Sequence, residues 1–320
     1  MHLPAIIYRK TPTVIYKYSM FIPAYIKSYK SGVLEERIEK LYKILKSCEL
    51  CPRKCGVDRT KNEPGYCKSG IDLIISSSGP HFGEEKELVG RGGSGTIFLT
   101  NCNLGCIYCQ NYDISHLGQG KVVSVEQCSE LMLNLQGIGC HNINFVTPTH
   151  FVPQIVKSIK IACAKGLKLP IVYNCGGYEN VEIIKLLEGT VDIYMPDMKY
   201  VDNKNAKKYS NAEDYFERCT ESVKEMYRQV GDLRVENGIA QRGLLVRHLV
   251  LPNDIAGTEK ILKFVAEEIS KDTYVNIMDQ YRPIYKANQF SELNRIPTIN
   301  EYGRAIELAE NLGLRRGYPL

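Results

Sequence analysis

Apolar and polar positions alternate in two ways from about residue 94 to the end of the chain. Short runs rich in β-branched residues are typical of buried strands, and the segments between them have the apolar spacing of amphipathic helices. The predicted strands are TIFLT (96–100), NINFVT (142–147), LPIVYN (169–174), VDIYMPD (191–197), GLLVRHLVLP (243–252) and TYVNIMD (273–279). The predicted helices span 124–138, 153–165, 179–188, 213–229, 258–269 and 299–312.

Six strand–helix units in succession predict an α/β fold with a parallel sheet. Because each crossover between parallel strands is right-handed, such a sheet curls in one direction. Six units favour a partial (β/α)6 barrel, since a closed barrel of eight units needs more chain. In this architecture functional side chains are expected at the carboxyl ends of the strands.

The chain before the predicted barrel divides into an arm with a helix and a cysteine-rich segment. Residues 32–46 place apolar side chains at helical spacing, which predicts an amphipathic helix packed on the main body. The preceding 31 residues are rich in Tyr, Lys and Pro and predict an arm or a short flanking helix. The predicted boundaries are 1–47 for the arm and helix, 48–93 for a cysteine-rich metal-binding segment and connecting loop, and 94–320 for the barrel.

The amino-acid composition is that of an ordinary soluble globular protein. The 41 basic and 36 acidic residues leave a net charge of +5, too small and too mixed in sign to indicate a nucleic-acid partner. No apolar run reaches the roughly 18 residues that span a bilayer. Lys10, Lys17 and three prolines interrupt the apolar N-terminus, which therefore lacks a signal-peptide pattern. We expect a cytoplasmic protein without a membrane segment.

Three of the twelve cysteines lie close together after the first predicted strand. Cys102, Cys106 and Cys109 form a C-x3-C-x2-C pattern on one loop. Thiolates hold iron–sulfur clusters, usually four for each [4Fe–4S] cluster. Three ligands leave one iron open to bind a cofactor or substrate directly. The alternatives are a zinc site, which needs a fourth ligand, and core cysteines at a coincidental spacing.

The segment CNLGCIYCQNYDIS, with an aromatic Tyr108 before the last cysteine, resembles the motif of the radical S-adenosylmethionine (SAM) superfamily. From about residue 48 onward the chain is similar to the pyruvate formate-lyase activating enzyme-related proteins. The other segments that carry this similarity are CELCPRKCGVDR, PHFGEE, GSGTIF, NINFVTPTH, VYNCGGY, DIYMPDMKY, RHLVLP and MDQYRP.

The resemblance implies a reaction as well as a fold. SAM binds the open iron of a [4Fe–4S] cluster, and the reduced cluster cleaves it to methionine and a 5′-deoxyadenosyl radical that abstracts hydrogen from a substrate. An electron donor such as ferredoxin or flavodoxin is implied. The substrate is either a glycine of a partner protein or a small molecule. Tyr108 is expected near the adenine, and no catalytic residue is assigned beyond the cluster.

Polar residues at other strand ends are candidates for holding SAM. Asp197 and Lys199 share one face by the two-residue period of a strand, and a similar pair in activating enzymes contacts SAM or its neighbourhood. The alternative for this pair is a surface salt bridge. Arg247 interrupts the fifth strand and needs an anionic partner; its family equivalent lies near the SAM carboxylate. His248 is expected to face the opposite way in a structural role.

Two further strand ends carry weaker candidates. Asn174 ends the third strand and is a candidate contact to the ribose or the substrate. Many superfamily members have a GGE-like turn after the second strand that binds the SAM amino group. This chain departs from that pattern with the sequence TPTH, so the Thr147 or Thr149 hydroxyl would have to substitute. Residues expected at the substrate mouth are Asp279, Gln280 and Tyr281.

Four cysteines precede the barrel: Cys48, Cys51, Cys55 and Cys67. This stretch has no helix or strand pattern by which core burial would order it. We therefore expect a metal bound to the four cysteines to order it. Four thiolates suit either zinc or a second iron–sulfur cluster, and free thiols are the remaining alternative. We expect a mutation here to loosen the N-terminal segment and to leave the Cys102/Cys106/Cys109 cluster assembled.

The leading interpretation is a radical SAM enzyme. The non-enzymatic alternative is an iron–sulfur electron carrier or redox sensor without SAM chemistry. Against this alternative stand the six-unit barrel and the charged residues Asp197, Lys199 and Arg247, which an electron carrier does not need.

Overall fold

A computed structural model describes residues 21–318 of the chain. The strands are β1 (Leu73–His81), β2 (Ser94–Leu99), β3 (Lys121–Val123), β4 (Ile143–Val146), β5 (Ile171–Cys175), β6 (Ile193–Pro196), β7 (Arg234–Glu236), β8 (Ile239–Leu249) and β9 (Tyr274–Met278). The helices are α1 (Ala24–Lys30), α2 (Val33–Ile44), α3 (Lys86–Val89), α4 (Tyr112–Ser115), α5 (Val125–Gly137), α6 (Val152–Ala164), α7 (Val181–Leu186), α8 (Asn203–Ser210), α9 (Tyr215–Val230), α10 (Thr258–Phe264) and α11 (Ile299–Asn311).

One curved sheet holds the nine described strands in the order β3-β1-β2-β4-β5-β6-β8-β7, with β9 on the far side of β8. The pairs β2–β4, β4–β5, β5–β6, β6–β8 and β8–β9 are all parallel. These are the six strands that the apolar runs predict, and the six predicted helices correspond to α5, α6, α7, α9, α10 and α11. The prediction of a six-unit α/β fold is confirmed.

The sheet continues beyond the predicted barrel through an antiparallel edge. β1 pairs with β2 on one side and with the short β3 on the other. The expectation of a mere connecting loop before residue 94 is therefore wrong. The reason is the composition of β1: its last six residues, Ser-Ser-Ser-Gly-Pro-His, have low β-propensity, and pairing with β2 orders them instead.

The N-terminal helices pack on the outside of the sheet. Leu34, Leu41 and Leu45 of the predicted amphipathic helix are buried, which confirms that assignment. The carboxylate of Asp192 accepts hydrogen bonds from the Ala24 N–H at 2.8 Å and the Ile171 N–H at 3.0 Å, so it ties α1 to β5. The expected N-terminal arm lies mostly outside the described residues. No helix between residues 21 and 318 is long and apolar enough to cross a membrane.

Helix α3 enters the barrel from the amino ends of the strands. Leu88 is fully buried in a cluster that includes Val172, Ile193 and Leu245. Its carbonyl accepts a hydrogen bond from the Asn142 side chain at 2.8 Å. Leu88 therefore packs against residues of β5, β6 and β8.

Candidate functional site

A cavity of about 430 Å³ opens at the carboxyl ends of the parallel strands. Its walls include the predicted residues Cys102, Cys106, Tyr108, Cys109, Thr147, Asn174, Asp197, Lys199, Arg247 and Gln280. The fold thus brings together residues that lie far apart in the sequence, because parallel strands present their carboxyl ends at one edge.

The loop after β2 carries three cysteines whose sulfur atoms all have polar neighbours. The Leu104 N–H donates to Cys102 Sγ at 3.3 Å, and the Ser210 hydroxyl donates to Cys106 Sγ at 3.0 Å. Cys109 Sγ lies 3.2 Å from Ser115 Oγ. Hydrogen bonds to sulfur stabilise thiolate ligands and tune iron–sulfur clusters. A loop with three thiols in such surroundings fits a [4Fe–4S] cluster.

The side chains of Cys102, Cys106 and Cys109 do not form a preorganised metal site. Within residues 21–318, no three His, Cys, Asp or Glu side chains are already close enough to hold a metal ion. Burial raises the pKa of the Cys102 and Cys106 thiols, and the nearby Lys199 ammonium opposes part of that rise. Cluster binding therefore requires the side chains to turn inward and lose their protons.

Opposite the cysteine loop, one carboxylate holds two cations. Asp197 accepts from Lys199 Nζ at 2.6 Å and from Arg247 Nε at 2.8 Å. All three side chains are largely buried, with 15 to 18% of their surface exposed. Burial alone would raise the pKa of Asp197, but Arg247 and Lys199 lower it below its ordinary value. The pair is thus an interior ion-pair network and not an exposed salt bridge.

Arg247 has a second acidic partner that sequence reasoning missed. Glu84, in the turn before α3, places Oε2 3.6 Å from Arg247 Nη1 and accepts a hydrogen bond from Asn144 at 3.1 Å. Burial raises the pKa of Glu84, and Arg247 opposes that shift. Glu84 belongs to the PHFGEE segment, which carried the family resemblance but gave no indication of this contact.

Arg247 also fixes the orientation of a neighbouring amide. Its Nη2 donates to Asn174 Oδ1 at 2.8 Å. Because a guanidinium only donates, the amide oxygen of Asn174 is the end that faces Arg247. The amide NH2 is the group that Asn174 offers to a ligand.

A cluster of tyrosines supports the cysteine loop from behind. Tyr108 is 5% exposed, and its hydroxyl accepts a hydrogen bond from Tyr200 at 2.5 Å. The Tyr281 ring packs edge-on against Tyr108, with centroids 5.6 Å apart. Of the three residues expected at the mouth, Gln280 lines the cavity, whereas Tyr281 is buried behind Tyr108.

The turn after β4 separates its two threonines. Thr147 lines the cavity, has a φ of +61°, and donates its backbone N–H to the Asn174 carbonyl at 2.8 Å. Thr149 is fully buried and donates to Glu179 at 2.7 Å. The expectation that Thr149 could face SAM is therefore wrong, since a 3-10 turn directs it into the core. His248 is buried between Met198 and Thr258, in the expected structural position.

The cysteine-rich segment is held against the barrel by polar contacts. Arg59 is 1% exposed and donates to the carbonyls of Gly70 and His150. Leu50 and Cys51 are buried as well. The expectation that burial orders none of this stretch is therefore wrong. Contacts such as that of Arg59 with the distant His150 carbonyl leave no periodic pattern in the sequence.

Residues 96–265, more than half of the chain, match the Radical SAM superfamily. This chain belongs to the radical SAM superfamily. Its relatives include the uncharacterized protein MJ0674 of Methanocaldococcus jannaschii, 32% identical over 89% of this chain and 80% of that protein. The uncharacterized protein MJ0808 of the same organism is 24% identical over 84% of this chain and 78% of that protein.

A solved structure of a radical SAM methyltransferase from Sphaerobacter thermophilus matches with a TM-score of 0.46 and 12% identity, covering 70% of this chain and 66% of the other. Membership of the radical SAM superfamily implies a [4Fe–4S] cluster and SAM as cofactors. Cys102, Cys106 and Cys109 all line the cavity at the carboxyl ends of the strands.

Proposed function

We propose that this protein is a radical SAM enzyme that abstracts hydrogen from a substrate, with Cys102, Cys106 and Cys109 as the cluster ligands. The observation that carries the proposal is that these thiols share one cavity with a buried Asp197–Lys199–Arg247 network. An electron carrier has no use for this network. When bound, the reduced cluster supplies the electron that cleaves SAM to methionine and a 5′-deoxyadenosyl radical.

The charged network is suited to the methionyl end of SAM. Lys199 and Arg247 retain N–H groups beyond those that Asp197, Asn174 and Glu84 occupy. A carboxylate accepts such hydrogen bonds strongly in a buried site. We assign both cations to the SAM carboxylate, with Asp197 as the group that positions them.

The remaining polar groups suit the amino group and the ribose. Asn174 offers its NH2 to a ribose oxygen, since its carbonyl oxygen is held by Arg247. Thr147 offers its hydroxyl to the SAM amino group in place of a GGE-like turn. The Tyr108 hydroxyl is engaged by Tyr200, so its part in adenine binding falls to the backbone and the ring.

The resemblance to activating enzyme-related proteins supports a finer assignment. In this assignment the enzyme abstracts hydrogen from a glycine of a partner protein and leaves a radical on that glycine. The electron that reduces the cluster comes from a ferredoxin or flavodoxin. Cys48, Cys51, Cys55 and Cys67 form a separate site for zinc or a second iron–sulfur cluster. The reaction takes place in the cytoplasm.

Electron paramagnetic resonance of the reduced, reconstituted protein tests this function. Binding of SAM to the open iron changes the signal of the reduced cluster, and we expect that change in the wild type. Arg247→Lys should require more SAM for the same change. A reduced cluster whose signal is identical with and without SAM would favour the electron-carrier or sensor alternative.

A further inference from the structure

The cysteine-rich segment lies directly against the loop that carries the cluster cysteines. Contacts occur at every second residue of the loop. Ser69 Oγ accepts from the Asn101 amide at 3.0 Å, and Arg53 Nε donates to the Asn103 carbonyl at 3.0 Å. The third contact places the Tyr66 hydroxyl so close to Gly105 that a side chain there would overlap it. The N-terminal segment therefore forms one wall of the cluster loop.

The cluster loop has a backbone that needs such support. Asn101, immediately before Cys102, has a φ of +71°, in the left-handed region that costs a non-glycine residue free energy. The Ser69 contact holds its side chain in that conformation. Asn103, between the first two cysteines, donates to the Tyr178 carbonyl at 2.6 Å. External contacts thus set the path of the backbone on both sides of Cys102.

Arg53 is the central contact between the two segments. Its guanidinium donates to the carbonyls of Asn103 and Asn211 and lies 3.7 Å from the centre of the Tyr66 ring. Asn211 follows Ser210, the residue whose hydroxyl donates to Cys106 Sγ and whose carbonyl accepts from the Gly105 N–H. One side chain therefore links the cysteine-rich segment to the cluster loop and to Asn211, the residue after Ser210.

Arg53 itself sits in the turn between Cys51 and Cys55. The turn has positive φ angles at Lys54 (+41°) and Gly56 (+68°). Between residues 48 and 70 the described structure has no α-helix or strand, and a single 3-10 turn interrupts the irregular backbone. The Tyr66 N–H donates to Cys55 Sγ at 3.3 Å, so the third cysteine contacts the residue that precedes the fourth, Cys67. Cys51 and Cys55 flank this turn, and the Gly56 N–H donates to the Cys48 carbonyl, so three of the four cysteines lie at the turn that presents Arg53.

We propose that a thiophilic metal centre on Cys48, Cys51, Cys55 and Cys67 fixes Arg53 and thereby shapes the loop that receives the radical SAM cluster. The proposal rests on the proposed function, which assigns Cys102, Cys106 and Cys109 to the [4Fe–4S] cluster. It replaces the sequence-based expectation that the two sites assemble independently. Metal at the N-terminal cysteine site then favours assembly of the [4Fe–4S] cluster on Cys102, Cys106 and Cys109, and with it the binding of SAM.

Metal binding at the N-terminal site is tested without the radical SAM cluster. The full chain with Cys102, Cys106 and Cys109 all changed to Ala is incubated anaerobically with Zn²⁺ alone, or with iron and sulfide. We expect it to retain zinc or an iron–sulfur cluster, and we expect the further change Cys51→Ser to abolish that retention. If neither metal is retained, the proposal fails whether or not the wild type performs radical SAM chemistry.

Coupling is tested by a variant that spares all seven thiols. Arg53→Ala should keep the N-terminal metal and lose roughly tenfold in affinity for the [4Fe–4S] cluster, as is typical when groups supporting metal ligands are removed. The readouts are iron content and the cluster signal after identical reconstitution. Arg304→Ala, at an exposed position on α11, is the matched control. Wild-type cluster content in Arg53→Ala would overturn the proposal.

A cysteine variant in the otherwise intact chain completes the comparison. Cys51→Ser should lower cluster content at Cys102, Cys106 and Cys109 as well as N-terminal metal. Cys163→Ser, a half-buried thiol on α6, should leave both unchanged. Full cluster content in Cys51→Ser would show that the two sites are independent and overturn the proposal. If Cys51→Ser fails to fold, Arg53→Ala decides the question.

Discussion

Arg247 donates from Nε to Asp197 Oδ1 at 2.8 Å, across the contact between the carboxyl ends of β8 and β6. The other oxygen of the same carboxylate accepts from Lys199 at 2.6 Å. One buried anion therefore compensates two buried cations, with Glu84 as a more distant second anion. This arrangement keeps cations in the barrel interior, where they are available to an anionic ligand.

Loss of the shared carboxylate should destabilise the fold. In Asp197→Asn, Lys199 loses its charged partner and Arg247 keeps only the more distant Glu84. Breaking a buried ion pair in this way costs about 3–5 kcal/mol. We expect a lower urea midpoint in equilibrium unfolding. Asp272→Asn, at an exposed position, should have the wild-type midpoint. Equal midpoints for both variants would mean that the network does not stabilise the fold.

Replacing the guanidinium by an ammonium should weaken SAM binding without loss of charge. Arg247→Lys keeps a cation beside Asp197 but loses the contacts of Nη2 with Asn174 and of Nη1 with Glu84. We expect roughly a tenfold weaker affinity for SAM, as for the loss of a charge-assisted hydrogen bond. Titration of the reduced cluster signal with SAM measures it. Unchanged affinity would exclude Arg247 from the SAM site.

A glycine next to the cavity is required by a close backbone approach. Gly177 has a φ of +78°, and a Cβ there would overlap the Asp197 carbonyl. Gly177→Ala should therefore displace the end of β6 and reduce both stability and SAM binding. Gly166 has a φ of +98° with open space around it, so Gly166→Ala isolates the cost of the backbone conformation alone. Thermal unfolding should separate the two variants clearly, and equal losses would contradict the close approach.

The contribution of one buried acid to stability should fall as pH rises towards neutrality. Burial raises the pKa of Asp192 from 3.8 to about 7. The folded state therefore binds this proton more tightly than the unfolded state does. The resulting stability is present below about pH 4 and is lost as pH rises through about 7, at about 1.4 kcal/mol for each unit of pKa difference.

Asp192→Asn removes that titration, so its unfolding free energy should decline less steeply between about pH 4 and pH 7 than that of the wild type. Denaturant unfolding at several pH values measures both slopes. Asp272→Asn should retain the wild-type slope. Parallel curves for the wild type and Asp192→Asn would mean that Asp192 has an ordinary pKa in the folded protein.

The sequence allowed the parallel strands and the cavity-lining residues to be predicted, for a physical reason. Buried parallel strands are nearly continuous apolar runs, and a polar residue at the carboxyl end of such a run must lie at the site edge. Asn174, Asp197 and Arg247 follow this rule, and all three line the cavity.

The remaining features depend on contacts that have no sequence period. Glu84 reaches Arg247 because α3 folds into the barrel, and the turn before that helix has no strand or helix pattern. Strand β1 is ordered by pairing with β2 and not by its own composition. Arg53 meets the Asn103 carbonyl through a backbone path that only the folded chain defines.

The most direct test of the radical SAM assignment is the product of SAM cleavage. Reconstituted protein is reduced anaerobically with SAM, and the mixture is separated by chromatography to detect 5′-deoxyadenosine. We predict that the wild type forms this product and that Cys106→Ala does not. An intact, reducible cluster that yields no 5′-deoxyadenosine and binds no SAM would contradict the enzyme assignment.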